Sequence, residues 1–279
     1  MDVKFFIAVI HCLRSPWIEI SNSGYMKSWG LQNSQFCTFH DFFSKKPNRL
    51  SVNLNRFIEN IRWNHGKFPS YILAYSLMFF LFPLRWYIPR IKFKRSKELN
   101  LHHDMYRVYF PDSITSLRWK KLAIIKYFLD NSNDDFLIIA NPSSYLNLDK
   151  LVAVVGDERS GFDYCGMVKH SADSAFIVGS FILISRKVAT LMVAKRFLIP
   201  THTSDDVAFG AFLTRSGIVP IDIESVELNS ASEFSTLSEN VLRNTIQFKV
   251  KALVENQRID SQILVQLHDR LRNMQLITE

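Results

Sequence analysis

Apolar residues along this chain alternate between short unbroken runs and longer stretches with helical spacing. Residues 3–10 and 136–140 form runs typical of buried strands, residues 107–110 form a short strand, and residues 35–39 are a further strand candidate. Residues 117–129 carry apolar side chains three and four positions apart, as on one face of a helix. Alternating strands and helices predict an α/β fold with a mainly parallel sheet flanked by helices.

The second half of the chain continues this alternation. Residues 175–184 place apolar side chains on both sides of Gly179 and Ser180, and Ser185 is a suitable N-cap for a following helix. The remaining predicted strands span residues 162–168, 218–223 and 246–250, and the predicted helices span residues 186–193, 207–215 and 260–274.

One stretch, read FLIIANPSSYLNLDKL, joins a predicted buried strand to a helix through a polar break. The strand ends at Asn141, Pro142, Ser143 and Ser144, where a proline and small polar side chains stop sheet pairing. Open α/β sheets bind ligands at the carboxyl ends of their strands. The stretch is therefore either a ligand site or a plain strand–turn–helix connection.

Asp205 and Asp206 stand at the start of a predicted helix. One interpretation is structural: an aspartate caps the helix and its neighbour is solvated. The other is functional: one carboxylate points into the ligand crevice as a general base. Lys120 and Lys121, early in the helix after a strand end, are candidates for contact with a diphosphate.

Composition narrows the function classes. The net charge of +8 favours anionic partners, and the basic residues show no pattern typical of nucleic-acid binding. Three widely spaced cysteines argue against a disulfide framework and a structural zinc site. The sequence contains no GxGxxG and no GxxxxGK[ST] motif, so a dinucleotide site and a P-loop have no support.

Residues 71–97 have an unusual composition for a globular domain. Residues 71–84 contain no charged side chain but fall short of the roughly 20 residues that span a bilayer, and a basic run extends to residue 97. This segment is either a buried core helix or an exposed apolar flap that a partner covers, or it is an element on an anionic membrane surface. Its aromatic and basic flank favours the membrane. We therefore expect a cytoplasmic protein that associates peripherally with the inner face of the membrane.

Four stretches, taken in order, resemble the β1,3-galactosyltransferase/fringe-like glycosyltransferases, which have a GT-A fold. The first three are Lys27-Ser28-Trp29, the segment from Asp112 and Ser113 through Leu117 to Lys120, and the FLIIANPSSYLNLDKL stretch. The fourth joins Gly179-Ser180 and Ser185-Arg186 to Asp205-Asp206-Val207 and Gly210. The chain is similar to a divergent bacterial member, and the resemblance implies one GT-A-like domain over residues 1–279 with the insertion at 49–99.

The resemblance implies transfer of a sugar, with inversion, from a nucleotide-diphospho-sugar to a hydroxyl of a glycan or other acceptor. The donor is usually a UDP-sugar. Asp206 would be the catalytic base, with Asp205 as its substitute, and Gly179 and Ser180 would line the acceptor and sugar pocket. The implied donor-binding residues are Lys27, Trp29, Asp112, Lys120, Asn141, Ser143 and Ser144.

The chain departs from the family where the family binds Mn²⁺. Asn141, Pro142 and Ser143 stand in place of three aspartates, and neutral oxygens alone bind Mn²⁺ or Mg²⁺ poorly. Gln247 stands where a metal-binding histidine often occurs. Either Asn141 and Ser143 hold a metal weakly, or cations such as Lys120 and Lys249 replace it, or the protein is a non-catalytic nucleotide- or glycan-binding protein.

Overall fold

The structure of the chain is a computed structural model, which describes most of the sequence outside one long central gap. The described residues are 3–12, 15–32, 35–45, 91–93, 104–111, 117–157, 161–171, 174–200, 203–255 and 257–276.

The centre of the main sheet is β1 (Phe5–His11), in which every residue is buried. It pairs in parallel with β2 (Cys37–Lys45) on one side and with β5 (Phe136–Ala140) on the other. A strand that is covered on both faces must be apolar throughout, which explains the unbroken runs FFIAVI and FLIIA.

The described main sheet has the strand order β11-β7-β10-β5-β1-β2-β4-β3. Strand β10 runs antiparallel to β5 and β7, β3 runs antiparallel to β4, and the remaining neighbours are parallel. The other strands of this sheet are β3 (Ile91–Phe93), β4 (Asp104–Pro111), β7 (Tyr164–Gly166), β10 (Phe181–Ser185) and β11 (Ile221–Asp222). The α/β class with a mainly parallel sheet is thus confirmed.

Helices cover both faces of this sheet. Side chains of β1 alternate between the two cores, with Phe5, Ile7 and Val9 in one and Phe6, Ala8 and Ile10 in the other. The first core includes residues of α1 (Trp17–Ser23), α3 (Leu148–Asp157) and α8 (Asp260–Leu276). The second includes residues of α2 (Leu117–Asn131), α4 (Arg186–Ala194) and α5 (Asp205–Arg215).

A small second sheet lies beside the carboxyl end of β5. Strand β6 (Ser144–Leu146) pairs antiparallel with β13 (Gln247–Val250), which pairs in parallel with β12 (Ser225–Leu228). Short helices α6 (Ala231–Ser235) and α7 (Glu239–Asn244) connect β12 to β13. Two hairpins complete the fold: β8 (Val168–His170) with β9 (Ala175–Ile177), and β14 (Leu253–Val254) with β15 (Gln257–Arg258).

Several predicted boundaries differ from the structure. The strand predicted at residues 162–168 divides into β7 and the start of β8, and the one predicted at 218–223 shortens to Ile221–Asp222. Val219 is 71% exposed and Pro220 has no N–H for a sheet ladder, so the first half of that segment does not pair. The predicted N-cap Ser185 is confirmed, because its Oγ accepts the Val188 N–H.

The predicted insertion at residues 49–99 and the membrane segment at 71–97 lie outside the described residues except for Ile91–Phe93, which form β3. Within the described part of the chain, no helix is both long and apolar enough to cross a bilayer.

Candidate active site

A cavity of about 260 Å³ opens beside the carboxyl end of β5. From β1 the chain proceeds outward to β2 and β4 and then returns to β5 on the other side of β1. Such a reversal of strand order leaves a crevice outside the carboxyl ends of the two strands, where open α/β sheets bind ligands. The cavity is lined by Trp17, Leu117, Asn141, Ser143, Val178, Gly179, Ser180, Asp206, Lys249, Val250, Lys251 and Arg258.

A buried lysine holds both carboxylates at the start of α5. The Lys121 Nζ lies 2.5 Å from Asp205 Oδ2 and 3.0 Å from Asp206 Oδ1. The Lys121 side chain is fully buried, whereas 24% of the Asp206 side chain is exposed. Asp206 lines the cavity and Asp205 lies behind it, so the two neighbouring aspartates have different access to a ligand.

Neither aspartate is the N-cap residue of α5. Ser204 holds that position, and its side chain makes no capping hydrogen bond. Because both carboxylates contact Lys121, the interpretation of this pair as a helix cap is wrong. The first turn of α2 also fixes the chain before α5, since the Arg118 guanidinium donates to the Thr203 carbonyl at 2.7 Å.

The second oxygen of Asp206 is held by the backbone of Gly179. The Gly179 N–H donates to Asp206 Oδ2 at 2.9 Å. A Cβ at Gly179 would lie 2.3 Å from Asp206 Oδ1 and 2.7 Å from Lys121 Nζ, so only glycine fits beside the pair. Gly210 has a similar role further along α5, because a Cβ there would collide with the backbone of Ala175 and Phe176 in β9.

The surroundings separate the two carboxylates electrostatically. Burial raises the pKa of Asp206 above its usual value, and the neighbouring Asp205 charge adds to this against the opposing Lys121 ammonium. For Asp205, burial also acts to raise the pKa, but the close Lys121 ammonium outweighs it and the pKa is lowered. The accessible carboxylate is therefore the more basic of the two, as a general base requires.

The strand end after β5 is tied into the second sheet. The Ser144 Oγ donates to the Ser180 carbonyl at 2.8 Å, and the same carbonyl accepts the Asn141 N–H at 3.1 Å. Gln247 is fully buried, and its Nε2 donates to Ser180 Oγ at 2.8 Å. Within the polar break, Ser144 therefore stabilises the connection to the second sheet, whereas Asn141 and Ser143 line the cavity.

Three cations line the cavity, and we call Lys249, Lys251 and Arg258 the basic wall. Lys249 Nζ contacts Glu227 Oε1 at 2.6 Å, and Glu227 is shared with Lys169. Lys251 is exposed and makes no ion pair with the described residues. These charges give the cavity a preference for anions.

Of the residues named from the sequence, the structure brings six to one cavity: Asn141, Ser143, Gly179, Ser180, Asp206 and Lys249. Lys120 is buried and its Nζ donates to the His11 carbonyl at 3.2 Å, so it does not line the cavity. Trp29 is fully buried against Tyr25 and Phe39, Lys27 is exposed outside the lining, and Asp112 lies outside the described residues.

Sequence reasoning missed Lys121 as the partner of the acidic pair. A usable signal was present, because Leu117, Lys121 and Ile125 repeat at four-residue spacing on the apolar side of the helix. A lysine on a buried face needs a carboxylate partner, since an unpaired buried charge is strongly destabilising. Lys251, Arg258 and Trp17 were also missed, and their distance from the strand end in sequence explains why.

A second polar cluster lies at the end of β1. His11 contacts Ser21 through Nδ1 and Asp41 through Nε2, the latter at 2.8 Å. The residue types are those of a nucleophilic triad, but His11 and Asp41 are fully buried and Ser21 is 2% exposed. A substrate cannot reach this serine, so the cluster is part of the core.

The residues at the cavity do not fit a divalent metal ion. Among the described residues that line the cavity, Asp206 is the only one with a carboxylate, and Lys121 and the Gly179 N–H already engage its oxygens. The Ser143 carbonyl accepts the Val250 N–H at 3.0 Å. The described residues contain no cluster of three histidine, cysteine or acidic side chains placed to hold a metal. Mn²⁺ and Mg²⁺ prefer several carboxylate oxygens, and this site offers neutral groups and ammonium ions instead.

A scan of protein-family models gives no match to this sequence, and a search of curated proteins gives none either. Among solved structures, the chain is similar to the glycosyltransferase GlyE of Streptococcus pneumoniae TIGR4, with a TM-score of 0.46 and 9% sequence identity. The likeness is distant and covers 99% of this chain. The chain spans 64% of the length of that neighbour.

Proposed function

We propose that this protein is a glycosyltransferase that moves a sugar from a nucleotide-diphospho-sugar to an acceptor hydroxyl with inversion, with Asp206 as the catalytic base. The observation that carries the proposal is a partly exposed carboxylate held by Lys121 and the Gly179 N–H at a cavity beside the carboxyl end of β5. The ordered resemblance to β1,3-galactosyltransferase/fringe-like enzymes supports the choice of donor, usually a UDP-sugar, and of stereochemistry.

The chemistry of an inverting transfer suits this arrangement. The acceptor oxygen attacks the anomeric carbon while the bond from that carbon to the diphosphate oxygen breaks, and its electron pair leaves with the diphosphate. The acceptor proton passes to a carboxylate, which is the role proposed for Asp206. Burial raises the pKa of Asp206, and a base with a raised pKa accepts a proton more readily.

Asp205 has a different role in this proposal. Its carboxylate contacts Lys121 and does not line the cavity, so it fixes the lysine that in turn orients Asp206. Asp205 is therefore a positioning residue, and Asp206 alone is proposed to take the acceptor proton.

The test is donor hydrolysis and transfer with a panel of nucleotide sugars, comparing wild type with Asp206→Asn and Asp205→Asn. We expect Asp206→Asn to lower turnover about 10²- to 10⁴-fold, the usual contribution of a general base, with donor affinity retained. Asp205→Asn should have the smaller effect on turnover. Equal turnover in wild type and Asp206→Asn would remove Asp206 as the base.

The alternative is a non-catalytic nucleotide- or glycan-binding protein on the same fold. The observation that favours it is the engagement of both Asp206 oxygens in the structure, which leaves the carboxylate less open to an acceptor. The same panel separates the two functions. Nucleotide-sugar binding without hydrolysis or transfer for any donor would support the alternative.

A further inference from the structure

We infer that the basic wall of Lys249, Lys251 and Arg258 holds the diphosphate of the donor, in place of a divalent metal ion. This inference rests on the proposed function, because it assigns the part of the donor that the cavity recognises. It is carried by the pairing of β13 with β6 beside the strand end, by the fixed orientation of Arg258, and by the presence of all three cations in the cavity lining.

The position of β13 decides which charge faces the strand end. In the antiparallel pairing of β13 with β6, Lys249 is the register partner of Ser144, directly after Asn141, Pro142 and Ser143. The next residue, Val250, donates its N–H to the Ser143 carbonyl at 3.0 Å. The strand end thus has a lysine backbone beside it and no carboxylate of its own. A divalent cation there would lack carboxylate ligands, and the described lining beside it carries the cations Lys249 and Lys251.

Arg258 is oriented before any ligand arrives. Its Nε donates to Asp260 Oδ1 at 3.0 Å, its Nη2 contacts Asp260 Oδ2, and its guanidinium lies 4.9 Å from the Trp17 ring centre. The Asp260 side chain is fully buried and also accepts the Ala252 N–H. Within the described chain, the other N–H groups of Arg258 have no hydrogen-bond partner. A fixed guanidinium edge suits two phosphate oxygens.

Lys251 contributes a full positive charge to the cavity, whereas the charge of Lys249 is partly neutralised by Glu227. Glu227 accepts contacts from both Lys249 and Lys169, so a single carboxylate is shared between two ammonium groups. Lys251 makes no ion pair with the described residues and is free to reach a ligand. The wall therefore offers the positive charge that stabilises a departing diphosphate as the bond to the sugar breaks.

The experiment is isothermal titration calorimetry of wild type with UDP, GDP and ADP, in excess EDTA and again with Mn²⁺. Lys251→Met is the test variant, because Lys251 is exposed and its removal leaves no buried carboxylate without a partner. Lys126→Met is the matched control, an exposed lysine on α2 whose one ion pair within the described part of the chain is with Asp130. Lys251→Arg is a charge-retaining variant.

We expect at least one nucleoside diphosphate to bind in EDTA, with affinity about tenfold weaker in Lys251→Met, the loss of one charge-assisted hydrogen bond. Lys126→Met should leave the affinity unchanged, and Lys251→Arg should retain most of it. Binding that requires Mn²⁺ and is unaffected by Lys251→Met would overturn the inference and leave the proposed function standing. No binding of any nucleoside diphosphate in either buffer would overturn both.

Discussion

The contact between Lys121 and the two aspartates makes a strong prediction about stability. In Lys121→Met, the carboxylates of Asp205 and Asp206 lose their common counter-ion while remaining largely buried, with side-chain exposures of 9% and 24%. Removing one partner of a buried ion pair typically costs about 3–5 kcal/mol, because a buried charge remains uncompensated. We therefore expect Lys121→Met to lose about 4 kcal/mol of unfolding free energy at pH 7.

This loss corresponds to a measurable shift of the melting temperature. An unfolding entropy of about 2.1 cal/mol/K per residue gives about 0.6 kcal/mol/K for this chain, so Tm should fall by about 7 °C. Differential scanning calorimetry provides the measurement. The control is Lys126→Met, whose ion pair with Asp130 is about half exposed on both sides, and which should change Tm by less than about 1 °C.

The pH dependence of the Tm of Lys121→Met provides an independent test of this stability prediction. Without Lys121, both carboxylates keep the desolvation that raises a pKa and lose the ammonium that lowers it. A group with a raised folded-state pKa contributes stability at low pH that is lost as pH rises through that pKa. The difference in Tm between Lys121→Met and wild type should therefore shrink as the pH falls from 8 towards 5. A Tm loss under about 2 °C at pH 7, or a difference that grows on acidification, would refute the reasoning.

Two further predictions concern the same pair. Gly179→Ala should destabilise the protein by about 1–3 kcal/mol in thermal unfolding, because its Cβ would collide with Asp206 and Lys121. Gly156→Ala is the control, and it should be neutral or slightly stabilising because the space around its Cβ is open. Equal Tm changes in the two variants would contradict this prediction. The kcat/KM of donor transfer should fall on acidification, because the reaction requires the deprotonated form of Asp206. The pKa of this fall should lie above the usual aspartate value of 3.8, because burial raises the pKa of Asp206. A fall with a pKa at or below that value would argue against Asp206 as the base.

The central part of the fold could be predicted from the sequence because its strands are buried on both faces. β5 was predicted with its observed bounds, Phe136–Ala140, and α2 differs from its predicted range only at its carboxyl end. In both cases local pattern and tertiary burial agree. The outer segment at residues 218–223 was predicted less well, because Pro220 prevents pairing that the apolar pattern alone favours.

The candidate site was only partly predictable for a different reason. Asn141 and Asp206 could be assigned to one site from the sequence for two reasons: ligands bind at the carboxyl ends of strands, and the family motifs occur in the expected order. Both residues line the cavity. The sequence does not show which of Lys120 and Lys121 faces the aspartates. That depends on how α2 is rotated about its axis relative to α5, which only the packed structure determines. Of the basic wall, only Lys249 was named from the sequence. Its approach to the strand end depends on the pairing of β13 with β6, two strands far apart in the chain.

That pairing also has a kinetic consequence. Leu146 is the register partner of Gln247, so the contact closes a loop of about a hundred residues, and contacts of such separation form late in folding. During synthesis, β1, β2 and β5 emerge long before Lys249, Lys251 and Arg258. We expect the nascent chain to have a formed central sheet while it still lacks affinity for anions, and to acquire that affinity only when the segment from β13 to β15 is in place.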